Sequence, residues 1–167
     1  DRQPVEAPDM ARIDIPATPG LEAVVRALNG NVRLVGGVVR DTLAGQQTKD
    51  VDLATPLLPE TVIAKLKAAG LKAVPTGLAH GTVTAVCDGH PFEVTTLRHD
   101  VSTDGRRATV AFTEDWREDA ARRDFTVNAL YYDPSSETVI DYHHGVADLQ
   151  QKTLRMIGDP RLRYRED

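Results

Sequence analysis

Two carboxylates stand one residue apart in the run KDVDLAT (49–55), which otherwise reads as a buried strand. Side chains alternate along a strand, so Asp50 and Asp52 are predicted to point to one face and Val51 to the opposite face. Like charges on one face repel each other, and a divalent cation relieves that repulsion because it needs several oxygen ligands converging on one point. A loop or an edge strand with solvated acids is the alternative that this short motif leaves open.

A second group of residues is suited to binding phosphate. In LVGGVVRD (34–41), a short apolar strand runs into a helix through Gly36 and Gly37. Glycines at that point let backbone N–H groups approach an anion closely at the start of the helix. Arg40 lies one turn further on, where its planar guanidinium could clamp phosphate oxygens. The alternative is a tight turn followed by a surface arginine paired with Asp41.

Glu93 is a candidate third carboxylate. It lies in PFEVT (91–95), another predicted strand, and is flanked by apolar residues. If that strand neighbours the strand of Asp52, the acids come together; otherwise Glu93 is an exposed cross-strand partner of a lysine or arginine. A glycine turn, an arginine and paired acids suit phosphoryl or nucleotidyl transfer, in which one metal ion activates a hydroxyl and another holds the triphosphate.

The elements that would position these groups alternate between helix and strand early in the chain. Apolar spacing and glycine stops predict helices over 21–28, 38–43 and 59–69, and strands over 32–35 and 51–54. Two hairpins follow, one over 82–97 around Asp88-Gly89 and one over 129–142 around DPSS. This order predicts an α/β or α+β domain with a mixed sheet.

The remaining segments are predicted from weaker patterns. They are an aperiodic tail or arm over 1–17, a mobile polar loop over 99–114, a charged helix over 115–123, a helix end with a short strand over 149–157, and a new helix after Gly158-Asp159-Pro160. Trp116 is expected to pack the charged helix onto the sheet.

Composition sets outer bounds on the function. The chain has 167 residues, enough for one domain with its own core, and a net charge of −5, which argues mildly against an obvious nucleic-acid binder without excluding one. Its single cysteine, Cys87, rules out an internal disulfide and a cysteine-rich zinc site. No apolar run is long enough for a membrane span and no signal peptide is visible, so a cytoplasmic address is expected. The start at Asp1 without Met suggests a trimmed chain.

LVGGVVRDTLAG followed by KDVDLAT resembles the signature of the class II nucleotidyltransferases, the CCA-adding tRNA nucleotidyltransferases and bacterial poly(A) polymerases. The likeness continues in order through FEVTTLR (92–98), TDGRRATVAFTEDW (103–116), ARRDFTVNALYYDP (121–134) and IGDPRLRYRED (157–167). It implies a nucleotidyltransferase head domain over 21–157, with a mixed sheet of roughly five strands flanked by helices. A tail or arm over 1–20 would precede the head, and a neck helix would start within 158–167.

The resemblance also implies residue roles. Asp50 and Asp52 would be the catalytic carboxylates that bind magnesium, in a two-metal site, and Glu93 would be a third catalytic carboxylate. The residues implied to bind the nucleotide are Gly36, Gly37, Arg40, Arg123, Asp124, Asn128 and Asp167. Among them Gly37 and Arg40 would hold the triphosphate, while Asp124 and Asn128 would lie near the ribose. The segment 102–114 resembles a flexible loop that moves between CTP and ATP addition.

One implied feature is incomplete. The family reads the base with a Glu-Asp-x-x-Arg motif in the helix after IGDP, and this chain supplies Glu166-Asp167 and then ends. The carboxylate can accept a hydrogen bond from a base amino group, but the arginine half is absent. The fragment is therefore expected to bind magnesium and nucleoside triphosphates weakly and to show little or no processive addition.

The implied activity is magnesium-dependent addition of nucleotides from CTP and ATP to the 3′ end of tRNA, with the RNA gripped mostly by the neck, body and tail that follow. A poly(A) polymerase head carries nearly the same motifs, and separate A-adding and CC-adding enzymes are a further possibility. From a different class, the domain would be a nucleotide-binding module that has lost catalysis. The intact Asp50, Asp52 and Arg40 argue against that reading.

Overall fold

The computed structural model describes residues 7–13, 15, 18–46, 51–103, 108–157 and 163–165. The helices of this part of the chain are α1 Leu21–Ala27, α2 Gly37–Leu43, α3 Pro59–Ala68, α4 Trp116–Ala121 and α5 Gly145–Gln150. The strands are β1 Asp9–Arg12, β2 Arg33–Val35, β3 Asp52–Thr55, β4 Lys72–Gly77, β5 Thr82–Cys87, β6 His90–Thr96, β7 Arg98–Thr103, β8 Ala108–Phe112, β9 Leu130–Asp133, β10 Thr138–Asp141, β11 Thr153–Arg155 and β12 Arg163–Arg165.

Eight of the strands form one mixed sheet in the order β1-β10-β9-β2-β3-β6-β5-β4. The pair β3–β6 is parallel, and the other neighbouring pairs are antiparallel. The predicted mixed sheet flanked by helices is therefore confirmed. The expected count of roughly five strands was too low, and β1 and β4 at the two edges are two of the additional strands.

The middle of the sheet is buried on both faces. On one face, α1, α2 and α3 pack against a core that includes Leu34 of β2 and Leu53 of β3. On the other face, α4 covers a smaller core that includes Val35 and Ala54, the next residues along the same two strands. Trp116 packs edge-on against Tyr131 with ring centroids 5.2 Å apart, so its predicted structural role is confirmed.

The predicted hairpin at Asp88-Gly89 is also confirmed. Both residues have positive φ, 52° for Asp88 and 77° for Gly89. A two-residue turn of this kind matches the twist of the strands that it joins. The strands β5 and β6 pair from Thr82↔Thr95 to Cys87↔His90, and Cys87 is buried.

The prediction of a loop over 99–114 is wrong for the described part of that segment. Most of that part forms the antiparallel hairpin β7–β8. Residues 104–107 between the two strands lie outside the described residues. The polar composition hid the hairpin, whereas the alternating run ATVAF of β8 is rich in strand formers. Movement of the segment 102–114 remains a prediction.

Edge strands account for two other differences from the predictions. Residues 9–12, within the expected tail or arm, form β1 against β10, and the unpredicted β4 lies at the opposite edge. All four residues of β1 are exposed. Because β1 is held by backbone hydrogen bonds rather than by buried side chains, its sequence carries little periodic signal.

The prediction of a helix after Pro160 is wrong for residues 163–165, the described part of that segment. Residues 163–165 form β12, which pairs with β11. A short helix without a packed face is marginal in water, whereas pairing with β11 satisfies backbone groups of the same residues. The proposed domain boundaries at 20 and 157 remain predictions.

A buried carboxylate holds the start of α5. Asp141 is 3% exposed, and its oxygens accept backbone hydrogen bonds from His143 (3.3 Å), Gly145 (2.9 Å) and Val146 (3.0 Å). This cap joins the end of β10 to the helix that lies against the candidate site.

Replacing Asp141 by alanine should therefore lower the free energy of unfolding by about 2–3 kcal/mol, because buried N–H groups lose their acceptors. The matched control is Asp133→Ala, which removes a carboxylate that accepts one hydrogen bond, from Ser135 (2.9 Å), in an exposed turn. That control should cost less than about 1 kcal/mol. Equal losses in urea unfolding of the two variants would contradict the assigned role of Asp141.

Candidate functional site

The register of the parallel pair brings two of the predicted acids together. Asp52 is the first residue of β3 and pairs with Glu93 of β6, so both carboxylates point to the same face of the sheet. Both residues are exposed, whereas the flanking Val51 and Leu53 are buried. In-register neighbours of this kind lie about 4.8 Å apart at the backbone. The strand of Glu93 neighbours the strand of Asp52, as the grouping of these acids requires.

Asp50 lies outside the described residues, so its position on the same face remains a prediction. In the described part of the chain, no three His, Cys, Asp or Glu residues are grouped closely enough to hold a metal ion. The two carboxylates of Asp52 and Glu93 are nevertheless the oxygen donors that a hard cation such as Mg²⁺ prefers. A complete set of ligands would need a further donor, and Asp50 is the nearest acid in sequence.

The glycine turn follows β2 at the end that adjoins Asp52. In the antiparallel pair β2–β3, Leu34 is opposite Leu53, so the next step along each strand places Val35 beside Asp52. Gly36 then takes φ +75° and ψ −131°, which favours glycine, and α2 begins at Gly37. The glycine turn and the carboxylates therefore lie at the same end of the central strands.

Arg40 is held in a chain of hydrogen bonds. Its Nε donates to Asp41 Oδ1 (3.0 Å) and its Nη1 donates to Asn128 Oδ1 (2.6 Å). The Nδ2 of Asn128 donates in turn to Asp124 Oδ1 (3.2 Å). The pairing of Arg40 with Asp41 that the sequence left open is thus present. Arg40 also contacts Asn128 directly and is linked through it to Asp124, two residues that only the family resemblance had suggested.

The guanidinium of Arg40 lies directly over the glycine turn. A Cβ atom at Gly37 would stand 3.4 Å from Nη2 of Arg40, a van der Waals contact. Within the described ranges, Nη2 has no hydrogen-bond partner, and 36% of the Arg40 side chain is exposed. The arginine therefore presents an N–H edge beside the backbone of the turn, as binding of an anionic oxygen requires.

A cleft of about 910 Å³ opens between α2, α5 and β11, with Arg40, Asp41 and Asn128 on its wall. Its volume is in the range of pockets that bind small molecules. Polar and charged side chains from α5 and the turn after it, including Asp148 and Lys152, line the opposite side. Asp52 and Glu93 are not among its lining residues, so the cleft adjoins the glycine turn rather than the acids.

Arg123 does not take part in the hydrogen-bond chain of Arg40. It contacts two residues that the sequence analysis missed. Its Nη2 and Nε donate to Asp119 Oδ2 (3.0 and 3.3 Å), and the Tyr131 hydroxyl donates to the same oxygen (2.7 Å). Asp119 lies four residues before Arg123, a spacing that places two side chains on the same face of a helix, and this signal could have identified the pair. Tyr131 lies on another element and carried no such signal.

Burial and charge act together on the pKa values of this cluster. Burial raises the pKa of Tyr131 well above its usual value, and the negative charge of Asp119 adds to the effect despite the opposing charge of Arg123. For Arg123, burial alone would lower the pKa, but Tyr131 and Asp119 outweigh it and the pKa is raised. A charged guanidinium and a neutral phenol thus share one buried carboxylate. Asp167, the remaining predicted nucleotide contact, lies outside the described residues.

A family model described as "Poly A polymerase head domain" matches residues 32–155. The chain belongs to this family. The match covers the glycine turn, Asp50 and Asp52, Glu93 and the RRDF run (122–125), which are the motifs that carried the resemblance. The assignment to the nucleotidyltransferase head domain is therefore confirmed.

Similar proteins are CCA-adding enzymes. The CCA tRNA nucleotidyltransferase 1, mitochondrial, of Danio rerio is 42% identical over 149 residues, which are 89% of this chain and 34% of that protein. A CCA-adding enzyme of Pediococcus pentosaceus is 44% identical over 135 residues, 80% of this chain and 33% of that protein. This member of the head-domain family thus spans about a third of the length of these relatives.

Solved structures agree with the fold. The Bacillus stearothermophilus CCA-adding enzyme in complex with CTP matches with a TM-score of 0.69 and 36% identity, over 81% of this chain and 32% of that chain. A tRNA nucleotidyltransferase complexed with a primer tRNA and an incoming ATP analog matches with a TM-score of 0.58 and 29% identity, over 78% of this chain and 37% of that chain. Among the described residues, no helix is long and apolar enough to cross a membrane.

The raised pKa of Tyr131 predicts that its phenol stays protonated in the folded protein well above pH 10. Since the unfolded phenol loses its proton near pH 10, the stabilisation is complete below that pH and is lost as the pH rises toward the folded pKa. The ultraviolet difference between wild type and Tyr131→Phe should show tyrosinate only when alkaline unfolding begins. Tyr132→Phe is the matched control, and ionisation of Tyr131 near pH 10 in the folded protein would contradict the burial described here.

Proposed function

We propose that this chain is the catalytic head of a magnesium-dependent nucleotidyltransferase that adds nucleotides from CTP and ATP to the 3′ end of tRNA. The observation that carries the proposal is the in-register pair Asp52–Glu93 beside the turn Gly36-Gly37. Exposed acids of one sign at that position fit a site for divalent cations. The N–H of Gly36 already donates to the backbone oxygen of Leu130 (3.2 Å), so the N–H of Gly37 at the start of α2, together with Arg40, fits the phosphates of the nucleotide.

In the proposed reaction the 3′ hydroxyl of the RNA attacks the α-phosphorus of the nucleotide, and pyrophosphate leaves. Asp50, Asp52 and Glu93 would hold Mg²⁺, in a two-metal arrangement. Bound magnesium makes the attacking hydroxyl more acidic and neutralises the charge of the phosphates. The protein's own task is then to orient the two reactants, and correct orientation supplies a large part of the rate enhancement in such reactions.

The remaining residues are proposed to orient the nucleotide. Gly37 and the Nη2 edge of Arg40 would bind the triphosphate, and Arg123 would contact the nucleotide from the buried cluster. Asp124 and Asn128 would lie near the ribose, where carboxylate and amide groups can hydrogen-bond hydroxyl groups. The hydrogen-bond chain Arg40–Asn128–Asp124 supports this grouping, because it joins the proposed phosphate and ribose contacts directly.

Transfer RNA is the proposed partner, bound mostly by the regions of the longer relatives that this chain does not cover. The relative solved with a primer tRNA and an ATP analog supports that proposal. The base-reading role of Asp167 and a cytoplasmic location belong to the same proposal, although some of the similar proteins are named as mitochondrial.

The second candidate is addition of adenylate alone, as by a poly(A) polymerase, and the description of the matching family favours keeping it. The two activities differ in product. Sequencing the 3′ ends of tRNA extended by the protein that carries this chain would separate CCA from A-only, CC-only or poly(A) products.

Neutralising either acid of the proposed metal site should weaken magnesium-dependent nucleotide binding. We expect Asp52→Asn and Glu93→Gln each to weaken CTP and ATP binding in the presence of Mg²⁺ by about tenfold or more, since changes to residues that merely orient metal ligands already cost about 10–100-fold. Isothermal titration of the chain with and without Mg²⁺ measures this directly. The same titration tests whether the two nucleotides bind equally.

Glu22→Gln is the matched control, because it makes the same chemical change at an exposed site on α1. It should leave binding unchanged. Nucleotide binding that does not depend on magnesium and is retained by both site variants would instead favour the nucleotide-binding module without catalysis.

A further inference from the structure

Asp119 is a buried carboxylate whose oxygens join three elements of the fold. Only 4% of its side chain is exposed. Its Oδ1 accepts the backbone N–H of Arg98, the first residue of β7, at 2.9 Å. Its Oδ2 accepts hydrogen bonds from the Tyr131 hydroxyl (2.7 Å) and from Arg123 Nη2 (3.0 Å). With both oxygens engaged, this side chain has little freedom to rotate away from Arg123.

Tyr131 is equally constrained. It lies in β9 with no exposed surface, and its ring is packed edge-on between Trp116 and Tyr142, at centroid distances of 5.2 and 5.9 Å. Its hydroxyl oxygen accepts a hydrogen bond from Arg123 Nε (3.3 Å) while its proton goes to Asp119. The phenol therefore contacts both members of the ion pair from a fixed point in the sheet.

These contacts fix one edge of the Arg123 guanidinium and leave another edge available. Nε and Nη2 are engaged, whereas Nη1 has no hydrogen-bond partner among the residues that the structure describes. The side chain is 26% exposed, so the group is not sealed in the core. An arginine side chain has many rotamers, and holding two of its nitrogens removes most of that freedom before a ligand arrives.

We propose that Asp119 and Tyr131 are positioning residues that hold the Arg123 guanidinium so that its Nη1 edge meets an anionic oxygen of the bound nucleotide. The inference rests on the proposed role of Arg123 as a nucleotide contact and adds the two residues that make the contact specific. Arg123 directly precedes Asp124, the end of the hydrogen-bond chain from Arg40, so a nucleotide at that chain is within reach of the same segment.

A purely structural role is the competing explanation, since the cluster also ties α4 to β7 and β9. The two explanations differ in how they depend on Arg123. Positioning residues act through the guanidinium and lose their effect on nucleotide affinity once it is removed. Residues that only stabilise the fold change the unfolding temperature but act on affinity independently of Arg123.

The test is a double-mutant cycle on the dissociation constant for CTP with Mg²⁺, measured by isothermal titration of the chain. Tyr131→Phe keeps the packed ring and removes only the hydroxyl, and it should weaken binding by about tenfold, the effect of misplacing one hydrogen bond to a charged group. In an Arg123→Gln background, the same change should have no further effect. Asp119→Asn should follow the same pattern.

Tyr132→Phe is the matched control, because it removes a hydroxyl from the next residue of β9, where that hydroxyl donates to the backbone oxygen of Ile13 (3.3 Å). It should leave affinity unchanged. If Asp119→Asn does not fold, the Tyr131→Phe cycle still decides the question.

A second readout does not depend on nucleotide. The Nε–Hε resonance of Arg123 in the free protein should be protected from solvent exchange and should shift and lose that protection in Tyr131→Phe. Losses of affinity that add to the Arg123→Gln loss, or an Nε–Hε signal unaffected by Tyr131→Phe, would overturn the positioning role and leave the proposed function standing. Absence of CTP binding by the wild-type chain would overturn the proposed function together with this inference.

Discussion

Carboxylates that share one exposed face of a sheet repel each other, and the candidate site of this protein depends on that constraint. Asp52 and Glu93 are brought into register because β3 and β6 run parallel, although the other neighbouring pairs of the sheet are antiparallel. The parallel pair requires the chain to leave β3, pass through α3, β4 and β5, and return in β6. The two acids therefore stay together only while that whole unit is folded.

The central strands of the sheet are buried on both faces. Leu34 and Leu53 pack under the helices on one face, and Val35 and Ala54 pack under α4 on the other. The polar groups of the site lie where that double burial ends, at the start of β3 and at the turn after β2. This placement lets charged side chains face solvent or a ligand while their backbones are fixed by the core.

The parts of the fold that the sequence predicts well are those with strong local signals. The helices α1 and α3 are indicated by apolar spacing and a following glycine, and the hairpin is indicated by Asp88-Gly89 between strand-like runs. The edge strand β1 was missed because backbone pairing with the distant β10, rather than side-chain periodicity, holds it. The hairpin β7–β8 was missed because its polar composition is typical of a loop.

The same distinction applies to the site. Gly36, Gly37, Arg40 and the Asp50–Asp52 pair were recognisable from residue type and spacing, whereas Arg123, Asp124 and Asn128 were assigned only by family resemblance. Asp119 and Tyr131 escaped both approaches. Their hydrogen bond joins α4 to β9, and no residue pattern within either element predicts a contact with the other.

The central claim is that the acids of β3 and β6 bind a divalent cation together with a nucleotide, and paramagnetic broadening by Mn²⁺ tests it most directly. In an amide NMR spectrum of the chain with CTP, substoichiometric Mn²⁺ should broaden the resonances of Asp52, Glu93 and Gly37 first. Residues of β10, four strands away from β6 in the sheet, should keep sharp signals. Broadening of the resonances of other acidic residues, with those of Asp52 and Glu93 unaffected, would contradict this metal site.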